Sequence, residues 1–345
     1  MLTLRRGIVA AAGDPSRPMQ ELEVQVGDER RPALVDVSFT GPAHVGDDVV
    51  VNVAALDLAL GSGGYDLVHV NLSRGLGGAG VAGAHVMKLN YTSLQHAVAP
   101  AEERTPTERG NAAPASDRLR GGPVAVCFLH GQLAPLAWAF GQVAVGARLG
   151  FVQTAGGALT GALSRVVPEL RERHLLAGHI TAGPCYGGEH EAITTAGAIE
   201  HGFLAQGWDA AVCGPGPGIL GSGTRLGHGG MIALETSHTA AALGCHVVVT
   251  PRRSSGDPRP RHQGLSHHTQ TMLELALVAL TVATHGPVEE GLERHHWRSG
   301  RADLGAYVAS GLPARHMGRS WEQDPEFFAS ALAAGDVLAS LTACR

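Results

Sequence analysis

Before residue 99, apolar and polar positions alternate in short runs: GIVAAA (7–12), ELEVQV (21–26), PALVDVSF (32–39), DDVVVNVAAL (47–56) and YDLVHVNL (65–72). A period of two places alternate side chains on opposite faces of a strand, so each run predicts a strand with one buried face. Turn residues separate them, at Gly13-Asp14-Pro15, Gly27-Asp28, Gly41-Pro42 and Gly46-Asp47. Strands recurring every ~8–12 residues predict a small barrel or sandwich. Residues 99–121 hold little apolar content and several Pro, Gly and charged residues, the composition of a loosely packed connection and of a domain boundary.

From Pro123 the rhythm changes to continuous apolar runs: 123–130, 149–154, 175–183, 209–214 and 245–251. Helix-length segments lie between them, at 133–147, 159–173, 191–206 and 230–243. Apolar strands alternating with helices predict a parallel sheet covered on both faces. The region 264–345 reads as mainly helical, with one very apolar helix over 269–284 and another over 321–335. The predicted fold is α/β: a small β-barrel-like domain (1–98), a linker (99–121) and a Rossmann-like parallel-sheet domain with C-terminal helices (122–345).

Composition narrows the class. With 345 residues, 44% hydrophobic and 17% charged, the chain is globular rather than disordered. Only 4% is aromatic while Gly numbers 48, so the core is built of Val, Leu and Ala with close backbone approaches. A net charge of −5 gives no electrostatic footprint for nucleic acid. The five cysteines make no CxxC pair, which argues against a zinc ribbon or disulfide scaffold. The apolar run near the start stops at Gly13-Asp14, too short for a signal peptide, and no uncharged stretch reaches the ~18 residues of a membrane helix. A cytoplasmic protein without membrane contact is expected. Small residues on the helices permit a homodimer without requiring one.

Ligands of an open parallel sheet bind outside the carboxyl ends of its strands, so the loops there carry the candidate chemistry. The fourth loop contains Gly216-Pro217-Gly218-Ile219-Leu220-Gly221, a literal GxGxxG whose following helix is postponed by Gly223, Gly227, Gly229 and Gly230. That delay weakens a dinucleotide reading and favours a backbone N–H cradle for another anion, assisted by Arg225. A P-loop is excluded, because no GxxxxGK[ST] occurs. The fifth loop includes 257-DPRPRHQGLSHHT-269. Ser266 suits a helix N-cap, which places His267 and His268 in a first turn whose dipole keeps imidazoles neutral. Arg252, Arg253, Arg259 and Arg261 precede them and suit a carboxylate or phosphate. Asp257, His262 and His267 form a candidate set of mixed metal ligands, but four arginines oppose a cation. Cys185, in a Gly-rich loop near His190, is a candidate nucleophile, and His130 ends the first strand of the sheet. Glu235 and His238 form an ExxH pair without matching partners.

The segments 61-GSGGYDLVHVNLSRGLGG-78, 85-HVMKLNYTSLQ-95, 216-GPGILGSGTRLG-227, 257-DPRPRHQGLSHHT-269 and 317-MGRSWEQDPEFFASALAAG-335 together resemble a bacterial family, domain of unknown function 3866. The resemblance runs over nearly the whole chain. It implies a single full-length family member and carries no catalytic residues with it.

The favoured expectation is an enzyme acting on a small anionic, phosphorylated type of metabolite. Gly216, Gly218 and Gly221 would cradle it, Arg225, Arg252, Arg259 and Arg261 would neutralise it, Ser266 would line the site, and His262, His267 or His268 would move protons. The alternatives are a metal-dependent hydrolase using His130, Asp257, His262 and His267, and a non-catalytic sensor whose β domain binds a partner. No cofactor is specified by the residues.

Overall fold

The computed structural model describes residues 2–60, 63–77, 80–106, 119–286 and 288–342. It divides into two compact units, Met1–Ala99 and Pro100–Arg345.

In the first unit, strands β1 (Leu4–Ala12), β2 (Met19–Val26), β3 (Glu29–Asp36), β4 (Asp48–Asn52) and β5 (Asp66–Asn71) close into a barrel in the order β1-β2-β3-β5-β4. β4 returns antiparallel to β1, and β3 and β5 run parallel. This is a five-stranded Greek-key barrel of the OB type. The alternation seen in the sequence is the reason it closes. On β2, Leu22 and Val24 are buried beside Val9, Val35, Val49 and Val51, while Glu21 and Glu23 face outward. Gly7 is needed where the barrel is tightest, since a Cβ there would lie 2.6 Å from the Val24 side chain. The run 32–39 stays a strand only to Asp36, whose carboxylate caps the short helix α1 (Val37–Thr40). A second short helix, α2 (Ala54–Asp57), and a hairpin of β6 (Val86–Lys88) and β7 (His96–Val98) complete this unit.

The second unit is built on an eight-stranded sheet. Its strands are β8 (Pro123–Cys127), β9 (Leu149–Thr154), β10 (Gly178–Ala182), β11 (His190–Ala192), β12 (Ala210–Pro215), β13 (His246–Thr250), β16 (Thr281–Thr284) and β17 (His296–Ser299). Two small ribbons lie outside it, β14 (Arg253–Ser254) with β15 (Gly264–Leu265), and β18 (Arg315–His316) with β19 (Arg319–Ser320). The sheet order is β11-β10-β9-β12-β8-β13-β16-β17, and every pairing is parallel. Every residue of β8, β9, β10 and β12 is buried, as strands covered on both faces require.

The covering helices are α3 (Leu133–Val143), α4 (Val166–Glu172), α5 (Thr195–Leu204), α6 (Ile232–Ala242), α7 (His267–Leu275), α8 (Leu304–Ala309) and α9 (Pro325–Thr342). α9 packs on α3 and over β8, β13 and β16, whereas α5 and α6 pack on each other, α5 over β9, β10, β11 and β12 and α6 over β8, β12 and β13. The α3–α9 approach depends on Gly335, because a Cβ there would lie 2.2 Å from the Leu136 carbonyl oxygen. Among the described residues no helix is long and apolar enough to cross a membrane.

The predicted helix over 269–284 forms only in its first part. α7 stops at Leu275, Ala276 is extended, and Thr281–Thr284 is a strand. A short buried apolar run fits either element, and the β-branched Thr281, Val282 and Thr284 favour the strand. The sheet therefore has three strands beyond the five predicted, and the last helix begins at Pro325 and runs to Thr342. Residues 100–106, expected to be part of a linker, pack on the second unit. Glu102 Oε1 accepts the N–H groups of Ile193 and Thr194 at 2.9 and 3.1 Å, at the start of α5. Residues 107–118 lie outside the described residues.

The connections after β8 and after β13 leave in opposite directions, which opens a crevice at the ends of these neighbours. Gln132 closes its floor. This fully buried amide accepts the N–H groups of Phe128 and Leu129 and donates to the carbonyls of Thr250 and Pro251. Gln132→Ala leaves these four backbone groups unpaired and is expected to lower stability by about 3 kcal/mol. Urea unfolding measures this, and a change below about 0.5 kcal/mol, as at an ordinary surface position, would contradict it.

Candidate functional site

Two loops at the carboxyl edge of the sheet build the site. The first follows β12. Its glycines pack backbone against backbone on the loop after β9. A Cβ on Gly157 would lie 2.3 Å from the Gly216 oxygen, and one on Gly229 would lie 2.2 Å from the Gly156 oxygen. The Ala158 N–H donates to Pro217 at 2.8 Å, and the Leu220 N–H to Gly156 at 2.9 Å. Gly216 thus serves a close approach, Gly218 a left-handed turn (φ 72°), and Gly221 a bridge to His228. The bridge folds 221–228 into a small hairpin that carries Arg225, ion-paired with Glu274, and sets His228 at its base.

The second loop follows β13. Arg252 turns inward and is only 2% exposed. Asp257, fully buried, binds Arg259 at 2.8 Å and Arg252 and Arg319 at 3.4 Å each. Arg319 also reaches Asp324 at 3.0 Å, and Asp324 accepts the Ser254 hydroxyl at 2.6 Å. Despite its burial, Asp257 is held well below the usual carboxylate range, chiefly by hydrogen bonds and charge from Arg259. Ser266 is the N-cap of α7: its Oγ accepts the His268 N–H and hydrogen-bonds His262 Nδ1 at 2.7 Å.

These elements gather four histidines. Ring nitrogens of His228, His267 and His268 all lie within 4.8 Å of one another. The rings of His228 and His268 stack at 3.7 Å, and the His262 ring centre is 4.9 Å from those of both His267 and His268. The bonding pattern fixes protons. His228 Nε2 faces the Arg225 carbonyl at 2.9 Å, so it carries the hydrogen and Nδ1 holds the lone pair. Arg252 can only donate, so at 3.1 Å His268 Nδ1 accepts and Nε2 bears the proton. His228 Nδ1 and His267 Nε2 are buried without a hydrogen-bond partner. Burial, then positive neighbours, pushes His262 down to about 3 and His268 to about 2. His228 and His267 are lowered for the same first reason, so all four rings are neutral at pH 7.

The other predicted residues take different places. Arg259 and Arg252 are matched by Asp257, and Arg261 is exposed in the single turn Pro260–His262. His130 has one ring nitrogen 2.7 Å from Ser164 Oγ and the other 3.2 Å from the Pro215 carbonyl. Cys185 is fully buried, without the exposure a nucleophile needs. His238 Nε2 accepts the Leu277 N–H at 3.0 Å, while Glu235 is exposed on a groove of about 250 Å³ that no histidine lines.

Sequence reasoning missed His228, which only tertiary packing of the glycine loops brings to α7. It also missed Arg319 and Asp324, and His316, whose ring stacks on Phe327 at 3.7 Å. Burial, reinforced by Arg252, pushes His316 down to about 3.

Buried neutral histidines make stability depend on pH. Burial holds His130 at about 4 and His179 at about 3, with His262 and His316 also at about 3. Between these values and ~6.5 the unfolded chain binds protons that the folded chain does not, so stability falls with pH by up to ~1.4 kcal/mol per unit per histidine. Asp257, depressed when folded, adds nothing to this window, since its contribution fades only below ~3.9. Chelator-treated protein is therefore expected to show a melting temperature that drops steadily from pH 6.5 to 4.5. A flat profile would contradict the neutral-histidine assignment.

No protein of curated function and no solved structure matches the chain. A family model described as protein of unknown function (DUF3866) matches residues 33–335, spanning the barrel from β3 onward, both loops of the site and most of α9. The chain belongs to the DUF3866 family.

Proposed function

We propose that this protein is a metal-dependent hydrolase of small molecules, with His228, His267 and His268 as the metal ligands. One observation carries the reading: three neutral imidazoles from two loops converge, and two of their buried ring nitrogens have no partner. Orphaned polar atoms in a buried site call for an ion or water to satisfy them. The carbonyl behind His228 Nε2 orients its lone pair in the way that supporting groups orient histidine ligands of metals. A donor set of imidazoles suits zinc and neighbouring divalent metals rather than magnesium or calcium.

The sequence alone favoured an anion enzyme in which Arg225, Arg252, Arg259 and Arg261 supply the positive charge. Of these, Arg225, Arg252 and Arg259 are matched by Glu274 and Asp257, so their opposition to a cation is reduced. Ligation by His268 would replace its bond to Arg252. A metal on Nδ1 takes the lone pair that Arg252 uses, and one on Nε2 moves the proton to Nδ1, facing a donor. Arg252 keeps Asp257 as its partner in either case. His262, braced by Ser266 and adjacent to two of the ligands, is the residue placed to move a proton. A bound metal of this class supplies Lewis acidity and lowers the pKa of water.

Untagged protein purified without chelator is expected to carry about one zinc-class ion per chain, and the His228→Ala, His267→Ala double variant almost none. Elemental mass spectrometry reads both. Substoichiometric metal in the parent after zinc and cobalt supplementation, or equal metal in both proteins, would overturn the reading.

A further inference from the structure

We infer that the ligand of this site is an oxyanion-bearing small molecule, carboxylate or phosphate, and that Arg261 is the residue that grips it. The inference rests on the proposed metal reading for the position of the reacting centre, but not for the anion binding itself.

The argument is a matching of charges. Of the arginines around the two loops, Arg225 pairs with Glu274, Arg253 with Glu289, and Arg252, Arg259 and Arg319 with Asp257 and Asp324. Three guanidiniums thus share two carboxylates in the interior of the site. Arg261 belongs to the same turn as His262 but points to solvent, and among the described residues it has neither an ion pair nor a hydrogen bond. Among the described arginines of the two loops it is the one without a carboxylate partner.

Arg261 is joined through this turn to His262, whose ring centre lies 4.9 Å from those of His267 and His268. A guanidinium fork fits the two oxygens of a carboxylate or phosphate. Arg252, Arg259 and Arg319 have committed their donors to Asp257, Asp324 and His268, which leaves recognition to Arg261.

Calorimetric titration of the intact protein, as purified without chelator and again after zinc supplementation, with inorganic phosphate and separately with acetate, tests this at low ionic strength. Saturable binding is expected. Arg261→Ala should weaken it roughly tenfold, the loss of one charge-assisted contact, and Arg261→Lys should recover part of it. Arg298→Ala, an exposed arginine on the edge strand β17, should leave it within about twofold, as screening of a distant surface charge requires. The stronger of the two anions identifies the headgroup. No binding of either anion, or equal affinity in parent and Arg261→Ala, overturns the inference. Metal content measured on the same samples keeps the two proposals apart: Arg261-dependent anion binding without metal would sink only the hydrolase reading.

Discussion

Asp257 is a fully buried carboxylate that grips three arginines, and the architecture of the site hangs on it. Arg252 and Arg259 come from the loop after β13 and Arg319 from the C-terminal ribbon, so one side chain both braces its own loop and ties it to a distant stretch of chain. Asp324 at the entrance to α9 extends the network through Arg319 and Ser254. Buried charges persist only when paired and hydrogen-bonded, and removing one partner of such a set typically costs about 3–5 kcal/mol. The network also has a chemical consequence. By holding Arg252 against His268, it dictates which nitrogen of that ring carries the proton.

The sheet provides the frame on which the network can work. The β8–β13 crevice lies at a point where connections diverge, and Gln132 locks the two strand ends in register there. The glycine loop after β12 lies flat on its neighbour after β9 because glycines (Gly156, Gly157, Gly216 and Gly229) stand at the closest approaches. That flat packing delivers His228 to the start of α7. Glycine in this loop thus serves chain-to-chain contact.

Much of the fold could be read from the pattern of apolar positions. The barrel strands announced themselves by alternation, and the central strands of the sheet by unbroken apolar runs. Thr281–Thr284 was misread because a buried strand and a buried helix look alike over a short run, and β11 has only three residues. Local chemistry was legible where it depends on neighbours in sequence, as in the Ser266 cap that sets His267 and His268 at the start of α7. The partners of the arginines were not legible. The sequence displays Arg252, Arg259 and Arg319, but only the folded chain shows that Asp257 satisfies all three. His228 stayed hidden for the same reason, since its approach to α7 depends on two distant loops packing together.

The central claim is that the orphaned ring nitrogens of His228 and His267 exist to hold a metal. Crystals of protein purified without chelator, measured on both sides of the zinc absorption edge, test it most directly. The account predicts an anomalous peak at about 2.0–2.1 Å from His228 Nδ1 and His267 Nε2. Well-ordered density between the rings with no anomalous signal, after soaking in zinc, would contradict it.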